Sequence, residues 1–229
     1  MKRSEPIQRR RFLSQTTGAL GLLAASGLAC RVDAAETTKP TEGLAALEKL
    51  LKGMEADGPL YLSLPVKDGQ FLSLLVKATQ AKNVLEIGTS HGYSAIWISR
   101  GLEETGGKLT TIEILPDRVE MAKKHVGQAG LTHRVTFKEG DAHQIVPTLD
   151  GAFDFVFINA DKGGSVDYFN KLFPKKLTPG AIMVAYCAIK QREKMQAYLD
   201  LVGQHDAFDT VVLSATMDDG FAVSYRKRK

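Results

Sequence analysis

The residues that could do chemistry fall where short apolar runs end. The first run ends in Glu86-Ile87-Gly88-Thr89-Ser90-His91-Gly92-Tyr93-Ser94, a carboxylate followed by two glycines four positions apart. Gly88 would let the chain turn tightly, and Gly92 would let backbone approach a ligand at the start of a helix. The next run ends 25 residues after Gly88 in Glu113, the usual place for a carboxylate that grips ribose hydroxyls. A third run is followed by Gly140-Asp141-Ala142, whose carboxylate could meet an adenine edge.

The spacing Glu-x-Gly-x-x-x-Gly differs from the dinucleotide fingerprint Gly-x-Gly-x-x-Gly. Position 90 is Ser, so the glycine that admits a pyrophosphate is missing. A ligand with adenosine but no phosphate fits better, and S-adenosylmethionine is the obvious one. An NAD-dependent oxidoreductase becomes the remote alternative.

Residues like these need strand ends to hold them. Apolar runs at Asn83–Ile87, Lys108–Ile112, Arg134–Phe137, Phe153–Ile158 and Ala181–Ala185 read as strands. Helical patterns at Tyr93–Leu102, Pro116–Ala129, Ala142–Leu149 and Ser165–Phe173 lie between them. Unbroken runs such as Phe155-Val156-Phe157-Ile158 suit a parallel sheet buried on both faces. The predicted fold is α/β, Rossmann-like, with helices on both faces of the sheet. Two helices precede it, Gly43–Met54 and Asp68–Thr79, and a helix over Gln191–Val202 follows. Phe208–Ser214 and Phe221–Tyr225, separated by the turn signal Met217-Asp218-Asp219-Gly220, predict a terminal antiparallel hairpin.

From about Leu64 to Tyr225 the sequence resembles the caffeoyl-CoA and catechol O-methyltransferase family of class I S-adenosylmethionine-dependent enzymes. The stretches that carry the likeness are Pro65–Leu72, Leu85–Ser94, Phe153–Lys162 and Asp219-Gly220-Phe221. The resemblance implies a seven-stranded, mostly parallel sheet ending in the hairpin. It also implies that Glu86 and Gly88 cradle the methionine part of the cofactor and that Ser94 binds its carboxylate. Glu113 would hold the ribose, Asp141 and Ala142 the adenine, with His143 lining that pocket and Leu64 and Thr89 in contact with the cofactor.

The likeness breaks down where the methyl acceptor would sit. The family's Asp-Ala-Asp-Lys after the fourth strand is here Asn159-Ala160-Asp161-Lys162, and its Asp-Asn after the fifth is Tyr186-Cys187. In the family the first Asp and the Asp-Asn pair hold a divalent cation. Mg²⁺ wants hard, preferably anionic oxygens, so no catalytic metal is expected. Asn159 and Tyr186 then become candidates for acceptor contact. The retained Lys162 is placed in the family to take the acceptor's proton. Burial or a nearby positive charge would be needed to lower its pKa. The other reading is that Lys162 pairs with Asp161 and that Tyr168 only packs on the sheet. Ala188-Ile189-Lys190 leads almost directly into the next helix, without the family's long acceptor loop. The pocket would then stay open, or be closed by the amino-terminal helix or by a second copy in a homodimer.

Residues 1–34 read as an export signal. Arg9-Arg10-Arg11-Phe12-Leu13 resembles a twin-arginine motif, and an uncharged run to Cys30 follows. An uncleaved membrane helix is the competing reading, diluted by Ser, Gln, Thr and Gly. A cut after Ala34 competes with a lipoprotein-like box at Gly27–Cys30. Residues 35–42 read as a linker and 43–229 as the catalytic domain. The expectation is a bacterial protein, periplasmic or membrane-associated, that meets the twin-arginine machinery. The formal charge of +4 resides in residues 1–34, and the remainder holds 24 basic and 24 acidic residues. A nucleic-acid footprint is therefore not supported. The predicted activity is O-methylation of a small phenol- or catechol-like hydroxyl. A cofactor-binding protein of the same fold that lost the chemistry is the alternative.

Overall fold

The strands come first, because every candidate residue hangs from one of their ends. The computed structural model describes residues 42–56, 64–214 and 219–228, all within one compact unit. The predicted signal segment, most of the linker and the Met217-Asp218 part of the turn signal lie outside the described residues. Seven strands are β1 (Asn83–Ile87), β2 (Lys108–Glu113), β3 (Val135–Glu139), β4 (Phe153–Ile158), β5 (Leu177–Tyr186), β6 (Phe208–Leu213) and β7 (Phe221–Arg226). They form one sheet in the order β3-β2-β1-β4-β5-β7-β6. β1 to β5 pair in parallel, and β7 pairs antiparallel with both β5 and β6.

The helices are α1 (Glu42–Ala56), α2 (Val66–Ala78), α3 (Tyr93–Thr105), α4 (Pro116–Gln128), α5 (Ala142–Ile145), α6 (Ser165–Leu172) and α7 (Arg192–Gln204). β4 shows why the sheet is buried on both sides. Phe155 and Phe157 pack in one core with Leu72, Ile96 and Val126 of α2, α3 and α4. Val156 and Ile158 pack in a second core with Phe169, Leu172, Met195 and Tyr198 of α6 and α7. Alternate side chains of a strand face opposite ways, so two apolar faces need an unbroken apolar run.

Two predicted boundaries differ for physical reasons. The helix expected over Ala142–Leu149 is a four-residue α5 followed by a 3-10 turn, Val146–Thr148. Pro147 lacks the N–H an α-helix would need there. β5 begins at Leu177, four residues before the predicted start, and includes Pro179-Gly180. A register shift opposite Phe153–Phe155 accommodates that pair, whose residue types hide the strand in the sequence.

α1 is fastened to this frame. Leu51 and Met54 are buried in the first core. The Tyr93 hydroxyl at the start of α3 donates to Glu55 Oε1 at 2.9 Å.

Candidate active site

A cleft of about 1360 Å³ lies beyond the carboxyl ends of the strands, over the point between β1 and β4 where the strand order reverses. Open α/β sheets bind ligands at such a switch point. The strand ends there are laced together by backbone: Gly88 N–H donates to Ile112 O at 2.9 Å and Asn159 N–H to Ile87 O at 2.8 Å. Gly88 has φ +96, and a Cβ on it would lie 2.7 Å from the Asn159 carbonyl oxygen. Only glycine allows the two turns to meet so closely. Gly92 does a different job from the expected one. Its bare Cα faces Ala122 of α4, where a Cβ would meet Ala122 atoms at 3.1 Å, and it does not line the cleft.

Glu113 ends β2 at the cleft wall, gripped by backbone. Its Oε2 accepts from Ser90 N–H at 2.8 Å, and its Oε1 from Ile114 and Leu115 N–H at 3.0 and 3.1 Å. The carboxylate is thus fixed in orientation, with lone pairs left over for a further donor. Asp141 caps α5, its Oδ1 accepting from His143 N–H at 2.8 Å, and faces the same cleft with Ala142.

Three of the candidates sit behind the lining. Glu86, Thr89 and Ser94 are buried and do not line the cleft. Glu86 Oε2 accepts from Thr111 Oγ1 at 2.6 Å, and Thr111 Oγ1 lies 2.5 Å from Thr89 Oγ1. Glu86 Oε1 has no partner. Burial pushes the Glu86 carboxyl up to about 7, against the hydroxyls of Ser94 and Thr111 and with the help of the Glu113 charge.

The other end of the cleft is built from side chains. Lys162 is half-buried, and its Nζ donates to Asn159 Oδ1 at 3.2 Å while lying 5.8 Å from the Tyr186 ring centroid. Among the described residues no ion pair joins Lys162 to Asp161, which instead accepts from the Tyr168 hydroxyl at 2.6 Å. Burial pushes the Lys162 ammonium below the ordinary lysine range, although Asp161 and Asp219 work the other way. The Tyr186 hydroxyl donates to Asp219 Oδ2 at 2.8 Å, and Lys190 Nζ is 3.0 Å from Asp219 Oδ1. Burial and the Asp219 charge hold the Tyr186 phenol protonated. Cys187 is buried with φ +68, and desolvation raises its thiol pKa.

This donor set does not suit a hard divalent cation. It offers one neutral amide oxygen, a protonated phenol whose O–H donates to Asp219, and a protonated thiol. Among the described residues no group of three His, Cys, Asp or Glu is placed to hold a metal ion.

Of the sequence candidates, Leu64, Gly88, Glu113, Asp141, Ala142, His143, Asn159, Lys162 and Tyr186 line the cleft together. Asp219, Glu55 and Arg118 also line it, although sequence reasoning assigned them no part in the site. Asp219 lay in a turn signal, and nothing local says that a tyrosine 33 residues earlier needs it. Glu55 and Leu64 to Val66 form the wall on the amino-terminal side, so α1 and the start of α2 do help to close the pocket.

Fold and cleft together define a Rossmann-like protein of the methyltransferase type. The model of the O-methyltransferase family matches residues 39–192, and the chain belongs to that family. It is 32% identical to a catechol O-methyltransferase from Mycobacterium tuberculosis over 78% of this chain and 87% of that one. It is 41% identical to a catechol O-methyltransferase from Niastella koreensis, over 54% of this chain and only 57% of the relative. An O-methyltransferase from Bacillus cereus in complex with SAH superposes with a TM-score of 0.71 at 27% identity, covering 80% of this chain and 91% of that one.

Proposed function

We propose that the protein is an S-adenosylmethionine-dependent O-methyltransferase for a small phenol- or catechol-like hydroxyl, working without the divalent cation that the family resemblance implies. The observation that carries this reading is one cleft with two chemically distinct ends: Gly88, Glu113 and Asp141 at one, Lys162 at the other. Gly88 lets the β1 and β4 turns meet under the ligand, Glu113 offers acceptor lone pairs to ribose hydroxyls, and Asp141 with Ala142 faces the adenine. Glu86, buried behind them, adds potential negative charge near the methionine part. S-adenosylmethionine, when bound, supplies an electrophilic methyl on a sulfonium.

Lys162 does the proton work in this scheme. Burial lowers its pKa, so the neutral amine that can take the proton of an acceptor hydroxyl is reached at a lower pH than for an exposed lysine. Asn159 holds the Lys162 side chain, and Tyr186, held by Asp219, offers a ring face and a fixed polar edge to the acceptor. Much of the acceleration of a methyl transfer can come from alignment alone, so losing the metal-holding carboxylates does not abolish the chemistry. The testing experiment is transfer of labelled methyl from S-adenosylmethionine to a panel of phenols and catechols in EDTA. Cofactor binding by calorimetry without any transfer would replace this reading with a non-catalytic binding protein.

The twin-arginine-like segment supports export to the bacterial periplasm or membrane surface as part of the same proposal. Replacing Arg9 and Arg10 by Lys should keep the protein in the cytoplasm, because a receptor reads the arginine pair and lysine differs in geometry. Normal export of the double variant would point to general secretion instead.

A further inference from the structure

We propose that His143 is a positioning residue for methyl transfer: it ties the β4–α6 segment, which carries Asn159 and Lys162, to the α5 wall of the cofactor end. The inference rests on reading the cleft as the methyl-transfer site. His143 stands at the first turn of α5, beside Asp141 and Ala142. Its Nδ1 is 2.5 Å from Asp167 Oδ2 on α6, and its Nε2 is 3.5 Å from Asp161 Oδ1, next to Lys162. The ring stacks on Tyr168 with centroids 4.3 Å apart, and the Tyr168 hydroxyl donates to that same Asp161 oxygen at 2.6 Å. One imidazole thus touches the segment at one edge, α6 at the other and a tyrosine through its face.

Both nitrogens point at carboxylates, so the ring edge that an adenine would need is already engaged. His143 therefore acts on the cofactor end by joining two walls rather than by reading the base. Gly164 fits the same account. A Cβ there would lie 2.2 Å from Asp161 Oδ2 and 2.6 Å from His143 Cε1, although its φ of −79 suits any residue. The glycine leaves room for the clamp, not for a special backbone conformation.

Only the imidazolium can donate from both nitrogens, since a neutral ring keeps a single N–H. Partial burial works against the charge, but Asp167 and Asp161 outweigh it, and the His143 pKa is raised. The groups facing the ring are Asp141 from α5, Asp161 from the segment, and Asp167, Lys171 and Tyr168 from α6. Lys171 contacts the same Asp167 oxygen and so shares one tether. The sign follows. The two-sided clamp is whole below the raised pKa, and the Asp161 tether is lost as pH climbs through it.

The experiment combines kinetics with two readouts that need no turnover. In His143→Ala and Gly164→Ala, kcat should fall about tenfold or more while KM for S-adenosylmethionine changes less than about threefold, the pattern of a misplaced catalytic group. In the wild-type enzyme the pH–kcat profile should break on the alkaline side where the ring titrates, and His143→Gln should lack that break. NMR titration of the ring and hydrogen exchange across residues 159–165, with the intrinsic pH dependence of amide exchange divided out, should show protection falling through the same pH in the wild type only. If the wild type transfers no methyl, the methyltransferase reading fails while titration and exchange still decide the clamp. Ring titration at or below the ordinary histidine value, or exchange in 159–165 unchanged in His143→Ala, would overturn the inference.

Discussion

The two ends of the cleft are held by different kinds of bond. At the cofactor end the backbone does the holding: three N–H groups fix Glu113, and two turns meet at a bare Gly88. At the acceptor end side chains hold side chains: Lys162 on Asn159, Tyr186 on Asp219, His143 on Asp161 and Asp167. A site fixed by backbone changes little when neighbouring side chains change. A site fixed by side-chain pairs can be rebuilt by a few substitutions, and here it holds a lysine and a phenol.

The comparison can be broken hardest at the acceptor end. Lys162→Ala should lower turnover about 10²- to 10⁴-fold, the range for loss of a general base. Affinity for S-adenosylmethionine should hardly move, because the lysine serves only the acceptor. Lys162→Arg should not rescue, since a guanidinium stays protonated. In the wild type, rate should rise with pH earlier than an ordinary lysine would allow, as the depressed pKa requires. Calorimetry that shows cofactor binding lost together with turnover would erase the distinction between the two ends.

The same contrast explains what the sequence made legible. All seven strands and the helices between them were readable, because an apolar run or a 3.6-residue period is local information. So were three residues that line one end of the cleft: Gly88, Glu113 and Asp141 each follow a run that announces itself. The acceptor network was not, because its pairs span distances no local pattern encodes. Tyr186 finds Asp219 across α7 and β6, and His143 finds Asp167 across β4. Gly92 was misread for a related reason: a glycine at a helix start looks the same whether a ligand or another helix approaches it.

Glu113→Gln should have the next largest effect. It keeps one oxygen for the backbone donors but removes the charge offered to the ribose. Charge-assisted bonds of this kind are worth about 1.5–3 kcal/mol, so affinity should drop about tenfold to a hundredfold, and stability should fall too because the amide NH2 would face at least one backbone N–H donor. Unchanged affinity would remove Glu113 from the cofactor site.

Glu86 tests the buried layer behind that end. Its carboxyl is held up to about 7 by burial, against 4.5 for a free glutamate. The unfolded chain therefore ionises first, and stability falls as pH rises from the lower value to the higher. Glu86→Gln should remove that slope. Without cofactor at pH 8 the variant should be more stable than the wild type by roughly 2–3 kcal/mol, with the gap closing towards pH 4.5. Urea denaturation at several pH values measures it, and parallel curves for the two proteins would contradict burial as the source of the raised Glu86 pKa.

The smallest expected effect is that of a metal. Turnover should be the same in EDTA and in added Mg²⁺, because each position that would face the ion is committed elsewhere. The Asn159 oxygen accepts from Lys162, the Tyr186 hydroxyl donates to Asp219, and Asp219 is also paired with Lys190. An arriving cation would meet the Lys162 ammonium and find no free carboxylate among these groups, while Mg²⁺ leaves its water shell reluctantly even for anionic ligands. The contrast sharpens if the family's donors are restored together as Asn159→Asp, Tyr186→Asp and Cys187→Asn. Provided that thermal unfolding shows the triple variant folded, its turnover should become Mg²⁺-dependent and its pH profile should lose the Lys162 rise, since a bound cation would acidify the acceptor in the lysine's place. Wild-type activity that disappears on chelation and returns with Mg²⁺ would mean that Asp161 or Asp219 breaks its present pairs to bind the ion. The side-chain end of the cleft would then be a metal site after all.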